Sequence, residues 1–82
     1  MRPIRVRLFA AARAAAGIGE VTVEVADDAT LGDVLAAIVA AHSGLADVIA
    51  RCSFLGDGVA VTDRARPFAG SQLDVLPPFA GG

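Results

Sequence analysis

Reactive chemistry in this sequence points to one end of it: Pro77, Pro78, Phe79, Ala80, Gly81 and Gly82. The group on offer there is a terminal carboxylate rather than a side chain. Neither proline has a backbone N–H to donate, so together they stop the preceding segment from continuing as a paired strand. One large apolar residue, one small one and two glycines follow. That is too little surface to fold onto a body, so residues 77–82 are expected to stand off as a short flexible arm. Six extended residues reach roughly 20 Å, enough to carry a carboxylate into another protein's cleft. With no Cβ at Gly81 and Gly82, the backbone can pass through a channel too narrow for any other residue. A frayed terminus with incidental glycines has the same composition, and the rest of the chain must separate the two.

The remaining candidates are weaker. Cys52 falls at the apolar spacing of a short helix and reads as a buried structural cysteine rather than a redox or sulfur-relay thiol. His42 sits near a helix C-terminus, where a cation is favoured, and no clustered Cys or His accompanies it to make a metal site. Asp27-Asp28 reads as a solvated turn and cap. Ser43 and Ser71 have no His–Asp constellation to join, because the chain holds one histidine. Gly17-x-Gly19 has no strong helix after it and is turn punctuation, not a phosphate loop. No independent active site is expected.

The chain has 82 residues, one small domain that buries about 60–65% of the surface its unfolded form exposes. Its hydrophobic fraction of 55% is largely alanine, which leaves Val, Leu, Ile and Phe as the real core material. A net charge of −2, with no basic patch or stacking aromatic series, points away from nucleic acid. All seven basic residues are arginine, so no side-chain amine is available as an isopeptide acceptor. The single cysteine excludes an internal disulfide and fits a reducing compartment. No secretory signal is expected: Ala10–Ala16 lacks large apolar residues and is broken by Arg13. No run approaches membrane-spanning length, so a cytoplasmic protein with no membrane partner is expected.

Those terminal residues need a body to present them. Ile4, Val6 and Leu8 alternate with Arg5 and Arg7, the period of a half-buried strand, with Phe9 on the arginine side at its end. Ala10–Ala16 suits a short turn of helix or a loop, closed by Gly17 and Gly19. Val21, Val23 and Val25 alternate with Glu20, Thr22 and Glu24 in a second strand, expected antiparallel to the first. Thr30 and Asp33 resemble a capping box. Behind it Leu31, Val34, Leu35, Ile38, Val39 and His42 form the apolar stripe of the main helix, ended by Ser43 and Gly44. Leu45, Val48, Ile49 and Cys52 repeat the spacing over a shorter helix. Ser53–Leu55 and Val59–Val61 flank Gly56-Asp57-Gly58, a strong turn signal. A polar stretch with Pro67 reads as a loop, and Gln72–Leu76 as the last strand, with Leu73 and Val75 on one side and Asp74 and Leu76 on the other. The class is α+β, a mixed sheet of about five strands with one main helix on a single face. Ile4, Val6, Leu8, Val21, Val23, Val25, Leu35, Ile38, Val39, Leu73 and Val75 are its expected helix-facing core.

This order, with a last strand running into Gly-Gly, resembles ubiquitin and its prokaryotic relatives, the β-grasp fold. The segment Val75-Leu76-Pro77-Pro78-Phe79-Ala80-Gly81-Gly82 is similar to the tail of the MoaD family, the sulfur-carrier small subunit of molybdopterin synthase. Val6-Arg7-Leu8-Phe9-Ala10 and the helix start at Thr30-Leu31 resemble the same family. The ThiS branch of thiamine-pathway carriers shares the Gly-Gly end and usually lacks the paired prolines. Carriers that form cysteine end similarly to this chain. The resemblance implies a β-grasp domain over 1–76 and a tail over 77–82.

The resemblance also implies chemistry. An E1-like (MoeB-like) activating enzyme would use ATP to adenylate the Gly82 carboxylate. Sulfur from a persulfide donor would displace AMP, leaving a thiocarboxylate. The large, MoaE-like synthase subunit would take the tail into its active site and pass the sulfur to a cyclic pyranopterin, building the dithiolene that holds molybdenum. The chain would be the sulfur donor and not the catalyst, with no tightly bound cofactor of its own. Adenylation supplies the leaving group a bare carboxylate lacks. Pro77 and Pro78 would stiffen the approach and reduce the entropy lost on docking. In this fold the first and last strands are neighbours, so Phe9, Leu76 and Phe79 would form an exposed docking patch bordered by Arg5, Arg7 and Asp74. With Pro77, Pro78 and Ala80 these are the expected partner-binding residues, and Gly81 and Gly82 the reacting end. The alternatives are a sulfur carrier of another pathway, a non-covalent ubiquitin-like adaptor, and a protein tag joined covalently to a target lysine.

Overall fold

Strand β1 (Arg2–Leu8) follows the alternation of its sequence, with Ile4, Val6 and Leu8 buried and Pro3, Arg5 and Arg7 facing out. The structure is a computed structural model that describes residues 1–78. Helix α1 (Ala10–Ala16) is two turns of nearly pure alanine, the strongest helix former, which resolves that stretch as helix rather than loop. Gly17 ends it at φ +75°, its N–H donating to the Arg13 carbonyl at 2.9 Å. Strand β2 (Glu20–Val25) returns antiparallel to β1, from Arg7 opposite Glu20 to Arg2 opposite Val25.

Helix α2 (Leu31–Ala41) starts at a full capping box. Thr30 Oγ1 accepts from the Asp33 N–H at 3.1 Å, and Asp33 Oδ2 accepts from the Thr30 N–H at 3.0 Å. Two further N–H groups of its first turn donate to the loop after the hairpin: Leu31 to the Arg66 carbonyl and Gly32 to the Arg64 carbonyl. The donors a helix start leaves free are thus met by the chain's own backbone. Leu31, Val34, Leu35 and Ile38 face the sheet. A 3-10 turn (Ser43–Leu45) leads into helix α3 (Ala46–Ile49), which together bury Leu45 and Ile49 as the expected second helix. Strands β3 (Ser53–Gly56) and β4 (Val59–Val61) make a hairpin over Asp57-Gly58, both at positive φ (+46° and +83°), the geometry that matches strand twist.

Strand β5 (Gln72–Leu76) enters the middle of the sheet, parallel to β1 and antiparallel to β3. The order β2-β1-β5-β3-β4 gives a five-stranded mixed sheet with the helices packed over one face, the ubiquitin-like β-grasp expected above. Nine of the expected core residues are buried. Val21 and Val39 are only half-buried at its margin, one on the edge strand β2 and one on the flank of the α2 stripe. The core also takes in Leu31, Val34, Leu45, Ile49, Phe54 and Phe68. Phe68 comes from a loop. Its N–H donates to the Ala29 carbonyl, and its ring lies where a Cβ on Gly56 or Gly70 would stand, 2.7 and 2.9 Å away. Arg2 fastens this loop from the other side, donating to the carbonyls of Gly70 and Phe68.

Candidate docking face and tail root

One face of the sheet carries no helix. Strand register sets a row across it, Glu20, Arg7, Asp74, Leu55 and Ala60, because residues opposite one another on paired strands share a face. Asp74 is the surprise of the row. It stands on the open face, yet only 5% of it is exposed. Arg7 accounts for that: its guanidinium lies over the carboxylate as a fork, Nε on Oδ1 at 2.7 Å and Nη2 on Oδ2 at 2.8 Å. Such a two-bond, charge-assisted pair is the strong kind of hydrogen bond. The Arg7 bonds hold the Asp74 carboxyl below the usual carboxylate range, against the opposing effect of its burial. The same bonds raise the Arg7 guanidinium above its ordinary value.

The guanidinium has a second neighbour. Its central carbon lies 5.5 Å from the centroid of the Phe9 ring, within cation–π range. Phe9 also caps α1, and its N–H donates to the Val75 carbonyl at 3.3 Å. Asp74, Arg7, Phe9 and Val75 therefore close a loop of contacts on β5 immediately before Leu76 and the prolines. Arg5 meets Glu20 at 3.3 Å between well-exposed side chains, a contact of little weight.

The parallel register, with Leu8 opposite Val75, brings Phe9 and Leu76 to the same end of the central strand pair. Phe9 is exposed, Leu76 and Pro77 are half-buried, and Pro78 is exposed. Phe79, Ala80, Gly81 and Gly82 lie outside the described residues. Of the charges expected to border the patch, Arg7 lies beside Phe9 and is paired with Asp74, which is buried rather than exposed. Opposite charges at outward positions of the first and last strands were the available signal. It becomes readable only once the register puts residues 7 and 74 side by side.

Elsewhere the candidates resolve as structure. Cys52 is half-buried, its thiol donating to the Val48 carbonyl at 3.2 Å; burial pushes the thiol up, with Arg64 opposing. His42 closes α2, its N–H on the Ile38 carbonyl. Asp27 is exposed beside the Met1 amine at 3.8 Å. Asp57 accepts from the N–H groups of Ser71 and Gln72, tying the hairpin turn to the start of β5. A groove between the hairpin and the Phe68 loop brings together Asp57, Thr62, Asp63 and Arg66, with no histidine or other general base beside the Thr62 hydroxyl except the carboxylates. Among the described residues there is no group of three His, Cys, Asp or Glu that could hold a metal ion, and no helix long and apolar enough to cross a membrane.

Comparison with known proteins agrees with this geometry. The sequence pattern of the ThiS family matches residues 6–82. The molybdopterin synthase sulfur carrier subunit of Chlamydomonas reinhardtii is 37% identical over 81 residues, spanning 96% of this chain and 98% of that protein. The small archaeal modifier protein 1 of Haloferax volcanii is 34% identical over 84 residues, spanning 93% of this chain and 97% of that protein. Its crystal structure has a TM-score of 0.84 with this one, covering 98% of this chain and 99% of that chain. A chain in the Helicobacter pylori complex of molybdopterin-converting factor subunits 1 and 2 shares the fold at 21% identity, with a TM-score of 0.68 over 98% of this chain and 99% of that chain.

Proposed function

We propose, given that the chain belongs to the ThiS family, that it is a sulfur carrier and serves as the small subunit of a molybdopterin synthase. The observation that carries the reading is the near full-length match to a molybdopterin synthase sulfur carrier subunit, in a chain with Pro77-Pro78-Phe79-Ala80-Gly81-Gly82. On this reading a Gly82 carboxylate oxygen attacks the α-phosphorus of ATP in an E1-like partner, and pyrophosphate leaves. A persulfide sulfur on a donor then attacks the acyl carbon and AMP leaves. A thiol cleaves the resulting acyl disulfide, so the donor pair is oxidised and the carrier keeps a thiocarboxylate. In the large synthase subunit that sulfur passes to a cyclic pyranopterin, and water restores the carboxylate. ATP belongs to the activating partner, and the chain itself needs no resident cofactor. Phe9, Leu76 and Pro77 give the partners a docking surface at the root of the tail.

A second reading has its own support in the likeness to the small archaeal modifier protein. Here the activated Gly82 carbonyl passes to an amine on a target protein. One experiment addresses both. The protein is incubated with ATP, an activating enzyme proven on its own carrier, and a sulfur donor, and its intact mass is measured. Exchange of one oxygen for sulfur in the fragment ending at Gly82, followed by sulfur transfer when the large subunit and pterin precursor are added, is the expected result. Sulfur uptake without transfer to the pterin moves the carrier to another pathway. Adducts to target amines would favour the modifier. No change of mass removes both covalent readings and leaves the adaptor.

A further inference from the structure

Stability alone does not require an ion pair at the centre of the open face. Burying a charge such as that of Asp74 costs desolvation that an apolar side chain avoids, and replacing a buried ion pair by apolar residues is often neutral or stabilising. Yet Asp74 is buried in a central strand, and Arg7 is held over it by two bonds at 2.7 and 2.8 Å. Those bonds use two of the five guanidinium N–H groups. The Arg7 side chain is still 45% exposed, so the guanidinium also meets solvent on the open face. Among the described residues, no other acceptor takes an Arg7 bond. Phe9 lies beside it at 5.5 Å and is itself exposed. One guanidinium thus grips the strand that leads to the tail, steadies an exposed aromatic ring, and offers donors outward.

We propose that Arg7 is a specificity-determining residue of the docking face, positioned by Asp74, and that it fits a partner surface with an apolar pocket for Phe9 beside a carboxylate that accepts from Arg7. The inference rests on the carrier reading above and deepens it. Charge complementarity argues for the carboxylate: the exposed edge of Arg7 is a donor fork whose shape matches one. Apolar contact with Phe9 would supply affinity. The fork beside it would set the angle of approach, and so the line along which residues beyond Pro78 enter the partner. Asp74 is a positioning residue here, acting through Arg7.

The test uses the full chain as thiocarboxylate with the large synthase subunit, reading the carrier concentration that half-saturates sulfur transfer, kcat, and the thermal midpoint of the carrier alone. The informative variant exchanges the pair, Arg7→Asp with Asp74→Arg. It keeps an ion pair in the sheet and takes the guanidinium off Phe9. It should unfold near the wild-type temperature and raise KM about tenfold while kcat stays within about twofold, the signature of lost docking. Arg7→Lys keeps the charge, loses the fork and should fall between. Arg7→Leu with Asp74→Leu guards against a poorly folded exchange; it should raise KM similarly and also remove the salt dependence of KM. Equal KM for wild type and the paired variants overturns the proposal, as does a loss that follows the thermal midpoint in every variant. If the large subunit does not engage even the wild type, the carrier reading fails and this proposal falls with it.

Discussion

A carboxylate buried on an uncovered sheet face leaves a pH signature. The Asp74 carboxyl is depressed mainly by its bonds to Arg7, so the folded state binds its proton less readily than the unfolded chain, whose value is near 3.8. The stabilisation is therefore complete above that unfolded value and is lost as pH falls through the lower folded one. Urea unfolding of wild type and Asp74→Asn between pH 7 and pH 2 should show a gap in stability that narrows steadily on the acid side. A gap that stays constant to the lowest pH would mean the bond is not ionic in origin. Cys52 gives a second residue-scale expectation. Half-buried and with its thiol pushed up by burial, it should react with iodoacetamide at pH 7.5 more slowly than free cysteine and accelerate as pH rises, because the thiolate is the nucleophile. Rapid alkylation at neutral pH would instead mark it as an activated thiol. Its place was legible in the sequence from its spacing to Leu45, Val48 and Ile49. The Arg7–Asp74 pair was not, since 67 positions separate its members and no local pattern joins them.

Elements with a period of their own were the legible ones. β1, β2 and α2 each carry their burial face in their spacing, and Thr30 with Asp33 marks where α2 begins. Replacing Thr30 by alanine removes one half of the box and should cost about 1 kcal/mol in urea unfolding, without change of helix content by circular dichroism. No loss would mean the Arg64 and Arg66 carbonyls already satisfy that helix start. The hairpin separates two kinds of glycine. Gly58 sits at φ +83° with open space around it, so Gly58→Ala meets backbone strain alone, about 1–2 kcal/mol. Gly56→Ala has ordinary backbone but drives a Cβ to 2.7 Å from the Phe68 ring, an overpacking cost of roughly 1–3 kcal/mol. Phe68→Leu, which shortens that ring, should relieve Gly56→Ala and leave Gly58→Ala unrelieved; relief of both would place the strain of position 58 in the same contact. Phe68 itself was hidden in the sequence. A loop residue has no period, and its burial follows from the two glycines and the Arg2 fork that hold the loop against the sheet.

At the scale of the whole molecule, the strand order puts the last described strand at the centre of the sheet. β5 is paired on both sides, to β1 in parallel and to β3 in antiparallel fashion, and Leu73 and Val75 are fully buried. On the carrier reading, stability and chemistry are therefore adjacent and yet separable within a few residues. Among the described residues, the last buried one is Val75. If residues 79–82 stand off as the arm expected from the sequence, ending the chain after Pro78 should leave the thermal midpoint within about 2 °C of wild type and, on the carrier reading, should abolish sulfur uptake by intact mass. Ending it after Asp74 removes Val75, the partner of both Leu8 and Phe54, together with the carbonyl that holds Phe9. That chain should show no cooperative unfolding transition at all. If the protein ending at Pro78 also failed to fold, the last four residues would belong to the core rather than to the partners. If it folded and still took up sulfur, the reactive carbonyl would not be that of Gly82.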